Sequence, residues 1–171
     1  MGTPQSDDSG AADIRFVDAA VDALLPNLGP EDVVVGKSTV PVGTAQRLAE
    51  KLLSAGSSAT LVWNPEFLRE GFAVKDTLSP DRLVFGVADG VGQDRALAAV
   101  REVYAAAIDA GTPVVETDLA TAELVKTAAN AFLATKISFI NAMSEIAEAT
   151  GANVTELADA IAMTLVLAVA S

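Results

Sequence analysis

Two carboxylates, Glu66 and Glu70, stand four residues apart in the stretch NPEFLREG. Read as a short helix opened by Pro65, this stretch puts both on one face, where like charges repel by roughly 0.2–0.5 kcal/mol. Such a pair can do acid/base work, and Phe67, Leu68 and Phe72 would anchor it, with Arg69 alongside. Lys126 and Asn130 repeat the same spacing, among Ala122, Ala129 and Leu133. An ammonium and an amide on a small-residue face can stabilise developing negative charge, and a buried lysine must find partners. Ser38 and Thr39, in KSTVPVG, supply two hydroxyls able to bind a ligand or hold a water. Each group also has a plainer reading: helix capping by Ser38 and Thr39, an exposed charged helix at 66–70, a solvated stripe at 126–130. Arg82 in SPDR reads as part of a turn into a strand, pairing with an acid.

The elements that must position these groups follow from periodicity and punctuation. AADIRFVDAAVDALLPNL is a helix stopped at Pro26. GTAQRLAEKLLSAG is a helix closed by Gly56, and GQDRALAAVREVYAAAI is another, ending near Gly111. DVVVGKSTV, ATLVWN, RLVFGVA and PVVET are short, β-branched runs of the kind buried on both faces of a sheet. Alternating strands and helices imply a parallel sheet with helices on its faces. Both KSTVPVG and NPEFLREG then fall at carboxyl ends of strands, where open sheets bind ligands. From Asp118 to Thr150 the chain has neither Gly nor Pro. As one helix it would extend about 50 Å at ~1.5 Å per residue. Thr117 or Asp118 can cap it, Glu123 suits its N-terminal end, and Gly151 stops it. Apolar on more than one side, it needs a further helical domain or a second copy as cover.

Composition removes several function classes. A net charge of −12 over 171 residues argues against nucleic acid as a partner and offers no basic patch to an anionic membrane. Without cysteine there is no disulfide, thiolate metal site or thiol nucleophile, and metal binding is not expected. Without histidine, proton transfer falls to carboxylates, lysine or water. The N-terminus, MGTPQSDDSG, is polar rather than a signal peptide, and LVLAVA is too short to span a bilayer, so a cytoplasmic location is expected.

Taken together, KSTVPVGT, NPEFLREG, PDRLVFG and AELVKTAANAFLATKISFINAMSEI resemble the UDP-glucose/GDP-mannose dehydrogenase family, over nearly the whole chain. The wording of NPEFLREG sets the chain apart from the related UDP-N-acetyl-hexosamine dehydrogenases, and LSPDRLVFG favours the UDP-glucose branch over the GDP-mannose one. The resemblance implies an α/β fold: a partial Rossmann-like parallel sheet holding only the later strands, then a long helix that begins an all-helical dimerisation domain. Residues 1–117 would be the C-terminal part of the NAD-binding domain, and 118–163 the connecting helix with the start of the central domain. Residues 164–171 would be a divergent tail. The implied activity is oxidation of the C6 alcohol of UDP-glucose to the uronic acid, with two successive hydride transfers to NAD.

Carried over by position, Thr39 would hold a water and, with Thr3, Ser38, Val40 and Glu70, contact NAD. Glu66 would act in the acid/base step within a substrate-binding segment Glu66, Phe67, Leu68, Arg69 and Glu70. Lys126 and Asn130 would bind substrate and stabilise the oxyanion. The helix over 118–150 would make a homodimer. Two of the family's parts have no counterpart in these residues: the Gly-rich GxGxxG turn and the cysteine of a GFGGSCFPKD-like loop. The expectation is therefore a piece truncated at both ends and inactive alone. A GDP-mannose-type equivalent, or a non-catalytic dimerisation or UDP-sugar-binding remnant, are the competing readings.

Overall fold

The computed structural model describes Thr3 and residues 12–169, the side chains of 164–169 excepted. The chain divides into two compact units, residues 1–127 and 128–171.

The first unit is built on a four-stranded sheet ordered β1-β2-β3-β4, with β1 Val33–Gly36, β2 Thr60–Trp63, β3 Leu83–Val87 and β4 Val114–Thr117. All four lie within the expected strand runs. Helices α1 Arg15–Leu24 and α2 Thr44–Ser54 match the expected helices, α1 giving way to a 3-10 turn around Pro26. The third expected helix is broken at Tyr104 into α4 Gln93–Val103 and α5 Ala105–Asp109. Two cores flank the sheet. One gathers Leu48, Leu52, Trp63, Val84 and Ala122; the other gathers Val62, Phe85, Ala96 and Val100.

The sheet is mostly parallel but not wholly so: β1 pairs with β2 and β3 with β4 in parallel, whereas β2 and β3 are antiparallel. The expectation of parallel pairing fails at this one step for a local reason. The link from Asn64 to Arg82 holds only one short helix, α3 Ala73–Leu78, so the chain does not cross back over the sheet face. It turns at the carboxyl end of β2 and re-enters beside it. The start of β3, and Arg82 before it, thus lie at the same sheet end as the ends of β1 and β2.

β4 runs with β3, so α6 Leu119–Thr150 begins at the opposite end and climbs back along the sheet. Seven residues of helix rise about 10 Å, close to the span of a short strand, which returns Lys126 to the level of residue 66. Gly86 permits the close crossing: a side chain there would overlap the Ala122 methyl and come within 2.9 Å of the Asp118 carbonyl oxygen. Asp118 caps α6 by accepting from the Thr121 amide at 2.8 Å, and Gly151, at φ +74°, ends it.

The second unit holds the remainder of α6 and α7 Val154–Val169. The tail expected at 164–171 falls largely outside the described residues, although the α7 backbone runs through Val169. No helix among the described residues is long and apolar enough to cross a membrane.

Candidate functional site

The segment after β2 is not a helix. Residues 64–69 are irregular, 70–71 form a turn, and helix starts only at Ala73. The expected shared face of Glu66 and Glu70 therefore does not exist. Local bonds account for this. The Glu66 carboxylate accepts from the Leu68 amide at 2.7 Å, and Asp76 takes the Arg69 amide at 2.9 Å, so both amides are drawn away from helical partners. Gly71 then turns the chain with φ +80°.

Asp76 is the fastener of this segment. Besides the Arg69 amide it holds the Arg69 guanidinium at two points, Nε at 3.0 Å and Nη2 at 2.6 Å. The Arg69 side chain, first among its influences, brings the Asp76 carboxyl down to about 2. At the other end Asn64, 1% exposed, is bonded at every polar atom. Its amide donates to Gly36 O and its side-chain NH2 to Val84 O, while its side-chain oxygen accepts from Lys37 and Tyr104.

Between these two anchors, Glu66 faces Lys126 at 3.8 Å. Lys126 is only 9% exposed, yet its ammonium donates no hydrogen bond among the described residues; the Phe67 ring lies 5.4 Å away. A buried ammonium with unmade donors is costly unless something accepts from it. Arg82 packs over the same ring at 4.3 Å. The expected Arg82 ion pair is absent among the described residues, and the aromatic face takes its place.

Sequence reasoning missed the role of Glu123. Rather than serving the start of its own helix, it points across to α2 and is 2% exposed. Its two oxygens accept from the Gly43 and Ala45 amides at 2.7 and 2.6 Å, filling the N-terminus of α2. Burial pushes its carboxyl above the ordinary value, against the pull of those amides. The available clue was its position one turn before Lys126 and next to Ala122, on a face that packs rather than faces water. Through this carboxylate the loop carrying Ser38 and Thr39 is tied to the turn of α6 that carries Lys126.

The remaining residues divide as follows. The Thr3 hydroxyl donates to the Thr39 carbonyl at 2.7 Å. Ser38 and Thr39 are half-buried, and Val40 is buried in the core. Glu70 and Leu68 are exposed, and the Arg69 guanidinium is engaged by Asp76. Asn130, exposed, belongs to the second unit. Direct contacts thus join Glu66, Phe67 and Lys126, and separately Thr3 and Thr39. No cluster among the described residues could hold a metal ion.

This sheet places two hydroxyls and a carboxylate at strand carboxyl ends, where open α/β sheets bind ligands. Comparison with known proteins supplies the family. Residues 1–109 match the UDP-glucose/GDP-mannose dehydrogenase family, NAD binding domain, and residues 120–167 match its central domain; the chain belongs to this family. It is 42% identical over 163 residues to UDP-glucose 6-dehydrogenase of Rickettsia felis, covering 95% of this chain and 35% of that protein. Among solved structures, the UDP-glucose dehydrogenase of Pyrobaculum islandicum superposes with a TM-score of 0.78 at 38% identity, covering 94% of this chain and 37% of the other. The GDP-mannose dehydrogenase of Pseudomonas aeruginosa gives 0.80 at 26% identity, over 95% and 38%. The chain spans about a third of the length of the curated relatives it matches.

NAD is the cofactor that the matched domain indicates. The residues present suit its neutral half: the hydroxyls of Ser38 and Thr39 can meet a ribose or carboxamide. The helix N-terminus nearest them does not suit its pyrophosphate, because Glu123 already occupies the Gly43 and Ala45 amides.

Proposed function

We propose that this chain carries part of the site of an NAD-dependent UDP-glucose 6-dehydrogenase. Residues 1–117 would contribute to the NAD-binding domain and 118–163 would open the central domain. The observation that carries the reading is Lys126, a buried lysine with no hydrogen-bond acceptor among the described residues and set 3.8 Å from Glu66. A sugar C6 oxygen placed between them would accept from the ammonium while the carboxylate, directly or through a water held by Thr39, takes its proton. NAD bound against Ser38 and Thr39 supplies the hydride acceptor. Phe67 shields the ammonium from water on one side, and the Asn64 and Asp76 anchors fix the segment between them. Glu70 would lie toward the nicotinamide and Asn130 would add a second donor to the oxyanion.

The 171 residues contain no cysteine, so they offer no thiol to carry the second oxidation through a covalent intermediate. We infer binding without turnover for this polypeptide by itself, and a cytoplasmic location. Incubating the chain with UDP-glucose and NAD tests both parts. A thermal shift with UDP-glucose that Lys126→Met abolishes, without NADH formation, is the expected result. A shift retained in the variant contradicts the site, and NADH production contradicts the inactivity.

Homodimerisation is the second part of the proposal. The second unit exposes Phe132, Leu133, Ile137 and Phe139, and a largely apolar cleft opens between α6 and α7. Apolar area of this kind on a charged chain marks an association surface.

A further inference from the structure

A second cleft of about 530 Å3, counting space open to solvent, lies on the Tyr104 side of the segment that bears Glu66. Its walls include Pro65, Phe67, Leu83 and Tyr104, and its charged rim includes Lys37 and Arg82. These two cations are unusual in this chain. Among the described residues, seven of the eleven Lys and Arg side chains form ion pairs: Arg15, Arg47, Lys51, Arg69, Arg95, Arg101 and Lys126. Lys37 and Arg82 are two of the four that do not, and both line this cleft.

Neither is simply loose in solvent. The Lys37 ammonium donates to the Asn64 side-chain oxygen at 2.7 Å and to the Tyr104 hydroxyl at 2.9 Å, both neutral, so its charge is held in place without being neutralised. The Arg82 guanidinium lies over the Phe67 ring at 4.3 Å, a contact that fixes its plane and leaves its N–H edge available for a bidentate acceptor. Two of the three acids on the rim are already committed: Glu66 faces Lys126, and Asp76 is locked to Arg69. Only Asp81 offsets the pair.

We propose that this cleft is a phosphate-binding subsite, in which Arg82 and Lys37 hold the phosphate and Phe67 and Tyr104 form its apolar walls. It shares residues 66–68 with the proposed sugar site but uses different cations. Either free inorganic phosphate or the phosphate of a small ester would satisfy the two cations.

Amide NMR titrations of the full chain with inorganic phosphate and, separately, with UMP provide the test. The expected result is perturbation of residues 64–68 and 82–84, weakened about tenfold by Arg82→Gln, as loss of a charge-assisted hydrogen bond implies. Lys136→Gln, in the second unit, should leave it unchanged. Stronger binding of UMP identifies the ester as the source, and equal binding identifies the free anion; either supports the subsite. Weakening by Lys126→Met but not Arg82→Gln would put the anion in the sugar site and overturn the proposal while leaving that site standing. Equal weakening by Lys75→Gln or Lys136→Gln, or no perturbation by either ligand, would also overturn it.

Discussion

Helix α6 is one element with two opposite environments. In its first two turns Leu119, Ala122, Glu123 and Lys126 are buried on a single face, packed on the sheet and bonded to α2. In the later turns Phe132, Leu133 and Ile137 are each more than half exposed, and among the described positions after Lys126 only Ala147 is buried. The first stretch is placed by small residues and one internal carboxylate. The second carries large apolar side chains left largely exposed. Specific placement thus comes from Gly86 meeting Ala122 and from Glu123 meeting two amides, not from hydrophobic bulk.

If that contrast is right, the largest effects belong to the first stretch. Glu123→Ala leaves the buried Ala45 amide and the part-buried Gly43 amide without their acceptor, at roughly 1–3 kcal/mol each, so chemical denaturation should show a loss of about 2–6 kcal/mol. Glu148→Ala, exposed on the same helix, should change stability by no more than about 0.5 kcal/mol. Equal losses would erase the distinction.

Gly86→Ala comes next. The added methyl collides with Ala122 and the Asp118 carbonyl, so α6 must shift from β3 at a cost of about 1–3 kcal/mol. In the exposed stretch the effect should appear in assembly instead. The pair Phe132→Ser and Phe139→Ser should convert a dimer to monomer by sedimentation equilibrium, with the thermal unfolding of the sheet unit little altered. A wild-type monomer at high concentration would remove the case for association through this helix.

The smallest effect is one of pH. The Asp76 carboxyl sits at about 2 instead of 3.8 because Arg69 holds its ionised form. A lowered carboxyl contributes stability above its unfolded value and loses it as pH falls through the folded one. Fluorescence of buried Trp63, adjacent to the segment, should therefore change between about pH 4 and pH 2, and Asp76→Asn should remove that transition. Glu123 has the opposite sign: its carboxyl is raised, so its contribution is greatest at low pH and declines as pH rises through the folded value.

Much of this was legible in the residues. Short β-branched runs bounded by Gly and Pro located all four strands, and the Gly- and Pro-free stretch with Asp118 and Gly151 at its ends located α6 almost to the residue. Helical spacing misled at NPEFLREG, because periodicity does not show that Glu66 and Asp76 will take the amides a helix needs. The antiparallel step was hidden for a related reason: the length of the link from Asn64 to Arg82 is visible, but the irregularity of its first half is not. Glu123 was read as a local helix-end charge, since a partner 80 residues away leaves no trace in local pattern. Resemblance, not spacing, assigned Glu66 and Lys126 to one substrate, and the climb of α6 along the sheet gives their pairing a physical cause.

The most direct test of that pairing is a zero-length carbodiimide cross-link, mapped by mass spectrometry on the full chain with and without UDP-glucose. A link between Glu66 and Lys126 that UDP-glucose suppresses is the expected result. Lys126 joined instead to other carboxylates, or a Glu66–Lys126 link unaffected by saturating UDP-glucose, would contradict the account.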